Sequence, residues 1–486
     1  MSKLKNQAVS GVMWTTVRTV VTFLTGPLLM VVQARYLTPS EFGVLSVINI
    51  FLSIINVIEN FGFSTAIIQR EKVTKNERSS LFFFQVVFTA VIGLLVVLTS
   101  PIVANIFDMP ALRSLLPLLS VVIFLNGPAI LFTAFLEKDF HFKELSLINV
   151  IRQILLFVFT SIFLVRGLSL TGVVLGQIIA VATMVLLILI VAYRKDYMHL
   201  YLHFNVREII PYIKFGLSIG GKQLMTQLTH HVDEMIIGYF LSAEVLGLYF
   251  FSKNLLNRIR SLISTAFSKV LLPLLSKVKT DVGQLTRVYN KISRYVGVFA
   301  FPLFIGIALT ADLFIPILFG EEWLASTDFF IILSIAYIPY MLTANVATSL
   351  LYSVNKPTLV LYTDIVANII YILLLLLFSW LGLGIYSIVG VYSVYLVGKT
   401  LTLQFLTQLY LESTFKEYLM LFRPAIFSTI VMILSVLSIK VVASNLDNLL
   451  YELIISILVG VVSYVLTYIL TDRKTLNEMI GLVTKR

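Results

Sequence analysis

Eight basic residues fall inside apolar runs long enough to cross a bilayer: Arg18, Arg152, Lys222, Lys253, Arg258, Arg260, Lys269 and Lys399. A charge at the centre of an inserted helix costs on the order of 2.5–3.5 kcal/mol, so eight facing hydrocarbon would cost roughly 20–28 kcal/mol. That exceeds the whole stability of an ordinary domain. Two bland readings remove some of them: Lys269 and Lys399 snorkel toward helix ends, and Arg152 pairs with Asp364 or Glu59. The others share helix faces with polar residues. Thr15, Arg18, Thr22 and Thr25 recur at spacings of three and four, as do Lys222, Thr226, His230 and Asp233, and Lys253, Asn257, Arg260 and Ser264. Such stripes predict one water-filled cavity. A guanidinium grips phosphate through two parallel hydrogen bonds and an ammonium adds a compact point charge, so cations with little acid nearby suit a phosphate or diphosphate. The candidate binding set is Arg18, Thr22, Lys222, Lys253, Asn257, Arg258 and Arg260.

A second group could carry a coupling ion or proton: Glu59, His230, Asp233, Glu234 and Asp364. The cluster His230-His231-Asp233-Glu234 has metal-ligand residue types, but adjacent helical side chains point about 100° apart and the set does not converge. No metal and no cofactor is predicted. The chain has no cysteine, which removes thiolate chemistry and disulfides.

The elements that must position these residues follow from composition. The 486 residues are 58% hydrophobic and 13% charged, with mean hydropathy +0.96, where a soluble domain carries about a quarter charged residues. Apolar runs of roughly twenty residues recur end to end, each matching a hydrocarbon core about 30 Å thick. Fourteen are read, beginning at about 8–34 and ending at about 449–471, with the seventh and eighth at 213–240 and 245–275. Long continuous runs exclude a β-barrel, whose strands are short and alternate, so the fold class is all-α. Lys3 and Lys5 precede a run that continues to Ala34 without a small-residue cleavage site, which predicts a retained first helix.

The net charge of +11 is topological rather than a nucleic-acid footprint. Counted over alternate connections, 24 Lys and Arg lie on the side of the N-terminus and four, Arg35, Arg113, Arg166 and Lys440, on the other. The positive-inside rule then predicts both termini in the cytoplasm. Trp323 and Trp380 fall at predicted outer helix ends, where amphipathic rings are favoured. No connection much exceeds twenty residues, which leaves no room for a soluble catalytic domain, so an enzyme is not expected.

Sliding the chain by 204 positions lays Tyr36-Leu-Thr-Pro-Ser-Glu-Phe-Gly43 on Phe240-Leu-Ser-Ala-Glu-Val-Leu-Gly247 and Arg18 on Lys222. A shift of 215 lays Phe135–Leu164 on Leu350–Ser379. The expected organisation is a six-helix lobe at 1–200, a second at 201–412 in parallel pseudo-twofold repeat, and an accessory pair with a tail at 413–486. Pro27, Pro101, Pro117, Pro128, Pro273, Pro302, Pro316 and Pro339 lie within spans and favour kinks.

The run Arg35-Tyr36-Leu37-Thr38-Pro39-Ser40-Glu41-Phe42-Gly43 resembles the motif of polysaccharide transporters, as do Glu59-Asn60-Phe61-Gly62-Phe63 and Leu136-Glu137-Lys138-Asp139-Phe140-His141-Phe142. Together they resemble the Wzx-type polysaccharide flippases of the multidrug/oligosaccharidyl-lipid/polysaccharide (MOP) superfamily over residues 1 to about 410. The resemblance implies a bacterial cytoplasmic-membrane protein whose two lobes surround a cationic cavity. It implies an undecaprenyl-diphosphate-linked oligosaccharide as cargo, alternating access driven by ion or potential, membrane lipids as surroundings, and a polysaccharide polymerase with chain-length machinery as partners. Two rivals share the superfamily: a lipid II flippase of peptidoglycan synthesis and a multidrug cation antiporter. The antiporter usually needs an acid in its first helix, where this chain has Arg18 and none.

Overall fold

The computed structural model describes residues 2–60, 62–443 and 448–484. Every long element is helical, because a backbone in lipid has no water to bond and satisfies itself along the helix. In chain order these are α1 (Ser2–Tyr36), α2 (Pro39–Asn60), the short α3 (Phe63–Gln69), α4 (Lys75–Ile106), α5 (Leu112–Lys138), α6 (Phe142–Val165), α7 (Ser169–Arg194), α8 (Val206–Phe240) and α9 (Ala243–Val278). There follow α10 (Val282–Leu318), a 3-10 turn (Glu321–Ser326), α11 (Thr327–Ser353), α12 (Pro357–Trp380), α13 (Gly384–Tyr410), the short α14 (Phe415–Met420), α15 (Arg423–Ala443) and α16 (Leu449–Thr484).

Fourteen of these helices have 21 residues or more, but only twelve stretches among the described residues are apolar enough to qualify as spans by composition. The two that fall short are α8 and α9, the helices that carry Lys222, Asp233, Glu234, Lys253, Arg258 and Arg260. Several helices also outrun their apolar cores. Residues 282–292, read from sequence as a connection, form the first turns of α10, where Asp281 caps the helix by accepting from the Gln284 amide at 2.9 Å.

The chain divides into two compact units, Met1–Gly247 and Leu248–Arg486. In the first, α4 pairs with α5, α6 with α7 and α1 with α6, while α8 lies along α2 and also meets α3 and α4. An apolar cluster of Phe63, Ile67, Leu81, Leu131, Phe135 and Tyr212 fills the junction of α3, α4, α5 and α8. The connection 195–205 is strapped across α4: Tyr201 N donates to Ser79 Oγ at 2.9 Å, Asn205 N to Ser80 Oγ at 3.1 Å, and Arg78 to the Tyr197 carbonyl at 3.1 Å. Arg70 binds Glu77 at 2.9 Å with its guanidinium 4.5 Å from the Tyr212 ring, and Lys138 donates to the Arg70 carbonyl at 2.5 Å. Several of the charges that set topology therefore also fasten this end of the unit.

In the second unit α10 packs on α11, α11 on α13 and α12 on α13. The terminal pair α15–α16 is fixed to α10. Lys440 reaches Asp312 at 2.7 Å, Lys291 reaches Glu478 at 2.7 Å, and Tyr464 donates to the Val298 carbonyl at 2.9 Å. The α16 helix breaks at Asp472, which then accepts from Thr475 N at 3.2 Å and restarts it. Trp323 is not an interfacial anchor. The 3-10 turn folds it under α9, where it is fully buried with its ring 4.4 Å from that of Phe251. Trp380 stays largely exposed, as an interface residue would.

Candidate functional site

The polar stripe of α8 opens a cavity in the first unit. It has a volume of about 820 Å³ and is lined by Val57, Ile219, Lys222, Gln223, Thr226, Gln227 and His230. Among the described residues no carboxylate comes within ion-pair distance of Lys222, and Thr226 bonds the Lys222 carbonyl rather than its ammonium. Lysine, two glutamines, threonine and histidine present donors for an anion or for sugar hydroxyls. Asp233, expected on the same stripe, is buried elsewhere at 1% exposure and does not line the cavity. On α1, Thr15 and Thr25 turn back to the carbonyls of Gly11 and Val21. Thr22 is exposed, while Arg18 is half-buried and interacts electrostatically with Glu137.

The α2–α8 seam carries a polar network that includes His231: its Nδ1 lies 3.0 Å from Glu234 Oε2 and its Nε2 3.0 Å from Ser53 Oγ, while Ser46 Oγ donates to Glu234 at 3.2 Å. His230, next along the helix, lines the cavity with Lys222 and Thr226, as its place on the polar stripe predicts. Farther along α2, Glu59 is 1% exposed. One carboxyl oxygen accepts from Asn126 at 3.2 Å, Gln85 donates to the Glu59 carbonyl at 2.9 Å, and Oε1 has no partner among the described residues. Just beyond, Gly62 takes φ +72° and begins α3, and a Cβ there would stand 2.7 Å from the Gly216 Cα of α8. Only glycine fits both demands. Phe61 of this motif lies outside the described residues.

In the second unit the cations are threaded among tyrosines. The Arg260 guanidinium is 5.2 Å from the Tyr340 ring centre, and Lys253, 5% exposed, lies 5.8 Å from Tyr249 and 5.3 Å from Tyr392. Asn257 accepts from the Tyr337 hydroxyl at 2.9 Å and Ser264 reaches Met341, so the α9 stripe faces α11 rather than only open space. Arg258 and Arg260 have no carboxylate within ion-pair distance among the described residues, and the Nε of each is buried without a partner. Two sequence expectations are corrected. Lys399 does not snorkel: it sits eleven residues, about 16 Å, from the nearer end of α13 and pairs with Asp364 at 2.9 Å. Arg152 makes neither of the ion pairs proposed for it among the described residues: Asp364 pairs with Lys399, and Glu59 accepts from Asn126. The Lys269 side chain lies outside those described. The tyrosines were missed, although Tyr392, Tyr395 and Lys399 share a face at spacings of three and four, and Tyr395 stacks on Tyr371 at 4.3 Å.

The family motif has a structural explanation. Thr38 and Glu41 form a reciprocal cap on α2, with Thr38 N donating to Glu41 at 2.8 Å and Glu41 N to Thr38 Oγ at 3.3 Å, and Pro39 takes the first helical position. Ser169, at the start of α7, donates to the other Glu41 oxygen.

Long apolar helices, some carrying cations without an acid in reach among the described residues, define a multi-pass membrane protein, and the fold is that of the MOP transporters. The chain superposes on the lipid II flippase MurJ in an inward closed conformation with TM-score 0.75 and 14% identity, covering 96% of this chain and 100% of that one. An inward-facing MATE multidrug transporter of the MOP superfamily matches with TM-score 0.62 and 12% identity, over 85% and 98% of the two chains. The model of the polysaccharide biosynthesis protein family matches residues 32–328, and the chain belongs to that family. Relatives include the teichuronic acid biosynthesis protein TuaB of Bacillus subtilis, 24% identical over 86% of each chain. The lipopolysaccharide biosynthesis protein WzxC of Escherichia coli is 25% identical over 66% of this chain and 65% of its own. The resemblance to Wzx-type proteins read from residues 35–43 is borne out.

Proposed function

We propose that the chain is a flippase that moves an undecaprenyl-diphosphate-linked oligosaccharide from the cytoplasmic to the external leaflet of the bacterial cytoplasmic membrane by alternating access, and is not an enzyme. The observation that carries this reading is the set of cations left without acids, among the described residues, inside long membrane helices: Lys222 in its 820 Å³ cavity, Arg258, and Arg260 beside Tyr340. Ordinary helix packing neutralises such charges, as Lys399 and Asp364 do. Charges kept unpaired at a cost of a few kcal/mol each await a counter-charge that arrives and leaves. A diphosphate supplies it, and the adjoining glutamines and tyrosines suit sugar hydroxyls and rings. Names of relatives concerned with teichuronic acid and lipopolysaccharide biosynthesis support the same cargo class.

In this reading Arg18, Thr22, Lys222, Lys253, Asn257, Arg258 and Arg260 receive the cargo from two lobes, 1–200 and 201–412, with both termini cytoplasmic. Glu59 is the best proton carrier among the acids, because its second oxygen is buried and unpartnered and an ionised carboxylate there would be costly. A polymerase with its chain-length machinery would take the product.

The test is reconstitution in vesicles with fluorescent undecaprenyl-diphosphate-linked oligosaccharide, scoring access of an external quencher. Transbilayer movement above that of empty vesicles is expected; Arg18→Ala should abolish it and Lys222→Ala should lower it sharply at limiting cargo, both with insertion intact. Movement of lipid II alone would transfer the assignment to peptidoglycan synthesis.

A further inference from the structure

The two segments superposed by the 204-residue shift touch each other, reciprocally, within the first unit. A Cβ on Gly43 would stand 1.9 Å from the Ala243 carbonyl oxygen, and a Cβ on Gly247 would stand 1.7 Å from the Pro39 carbonyl oxygen. Under the shift, Pro39 corresponds to Ala243 and Gly43 to Gly247. The contact is thus its own image, as a two-fold contact is when the same patch is used twice. Neither glycine has positive φ, so what the contact requires is the missing side chain, which lets backbone meet backbone. Beside it lies a cavity of about 390 Å³ lined by Ser40, Glu41, Asp108, Ser114, Thr171 and Ala243. Deeper along α2 and α8 the seam changes character, to the separable hydrogen bonds of Ser46 with Glu234 and Ser53 with His231.

We infer that the paired turns 39–43 and 243–247 are the external gate of the transport path, shut in this conformation and parting with the α2–α8 seam to release the sugar. This rests on the flippase reading. A contact of two backbones with no ion pair in it among the described residues closes tightly yet opens without stranding a charge in lipid, and the flanking hydroxyls and carboxylates meet the water or sugar that enters. Glycine at both positions is what permits closure, so the two residues act on transport without touching cargo at the diphosphate site.

The native chain has no cysteine, so Ser40→Cys with Ala243→Cys gives the only thiol pair, both members lining the same cavity. Bridging them with a short bis-methanethiosulfonate in vesicles should cut flipping at least tenfold, with recovery on reduction, while a monofunctional reagent and the single variants have little effect. Bridged protein that flips at the untreated rate overturns the gate. Independently of cargo, Gly43→Ala with Gly247→Ala should hold the turns apart, lowering the yield of the bridge and speeding labelling of the thiol at position 40 by an impermeant maleimide. Unchanged bridging and labelling also overturn it. If that variant fails to insert, the bridging arm on native glycines still decides. Should the native chain move no lipid-linked sugar, the flippase reading falls, and labelling alone then decides the gate.

Discussion

Lys222→Ala isolates the binding charge from the fold. The side chain is exposed into a cavity of about 820 Å³, with no acid within ion-pair distance among the described residues, so truncation strands no buried partner. Stability should therefore change by no more than about 0.5 kcal/mol, the range of exposed substitutions away from special features. A hydrogen bond to a charged group contributes about 1.5–3 kcal/mol net, and 1.4 kcal/mol is a factor of ten, so apparent affinity for the diphosphate should fall about tenfold to 150-fold. The assay is the flipping rate in vesicles against cargo concentration, with thermal melting of the same samples as control. Lys222→Met should behave like alanine, because it keeps the stem and loses the charge. Lys222→Arg should retain most affinity, because guanidinium also binds phosphate. If only ground-state binding is lost, half-saturation rises while the maximal rate holds. An alanine variant with native half-saturation and rate, or a methionine variant as good as arginine, would refute the assignment of this cavity to an anion.

Lys399→Ala should act oppositely, lowering the melting temperature, because it leaves Asp364 within the helix pair without its cation; adding Asp364→Asn should restore part of the loss, a non-additivity read from a double-mutant cycle. Glu59→Gln keeps an acceptor for Asn126 and should insert normally, yet export should lose its dependence on the proton gradient, and gradient-driven flipping at the native rate would remove Glu59 from coupling. Glu208, ahead of the apolar part of α8, is held below the ordinary carboxylate value of 4.5 by hydrogen bonds from Ser80 and His203. A lowered folded-state pKa gives stability that is complete above the unfolded value and is lost as pH falls through the folded one. The melting gap between native protein and Glu208→Gln should therefore be present above the ordinary carboxylate range and close as the pH falls through and below it, measured in detergent.

Much was legible before any coordinates. Lipid forbids unpaired backbone, so runs of twenty apolar residues could only be helices, and an arginine or lysine among them could only be sheltered or functional. The run Thr38-Pro39-Ser40-Glu41 and the glycines at 43 and 247 stand out in the sequence as a family motif and its repeat, while their work as a helix cap and a backbone contact emerges in the structure. What sequence could not decide is which partner meets which side chain across helices far apart in the chain. Lys399 finds Asp364, 35 positions earlier; His231 finds Glu234 and Ser53; Trp323 turns inward onto Phe251. Each outcome turns on about 100° of helix rotation, or on one turn of a connecting segment, and those are set by how neighbouring helices interlock rather than by the chain's own periodicity.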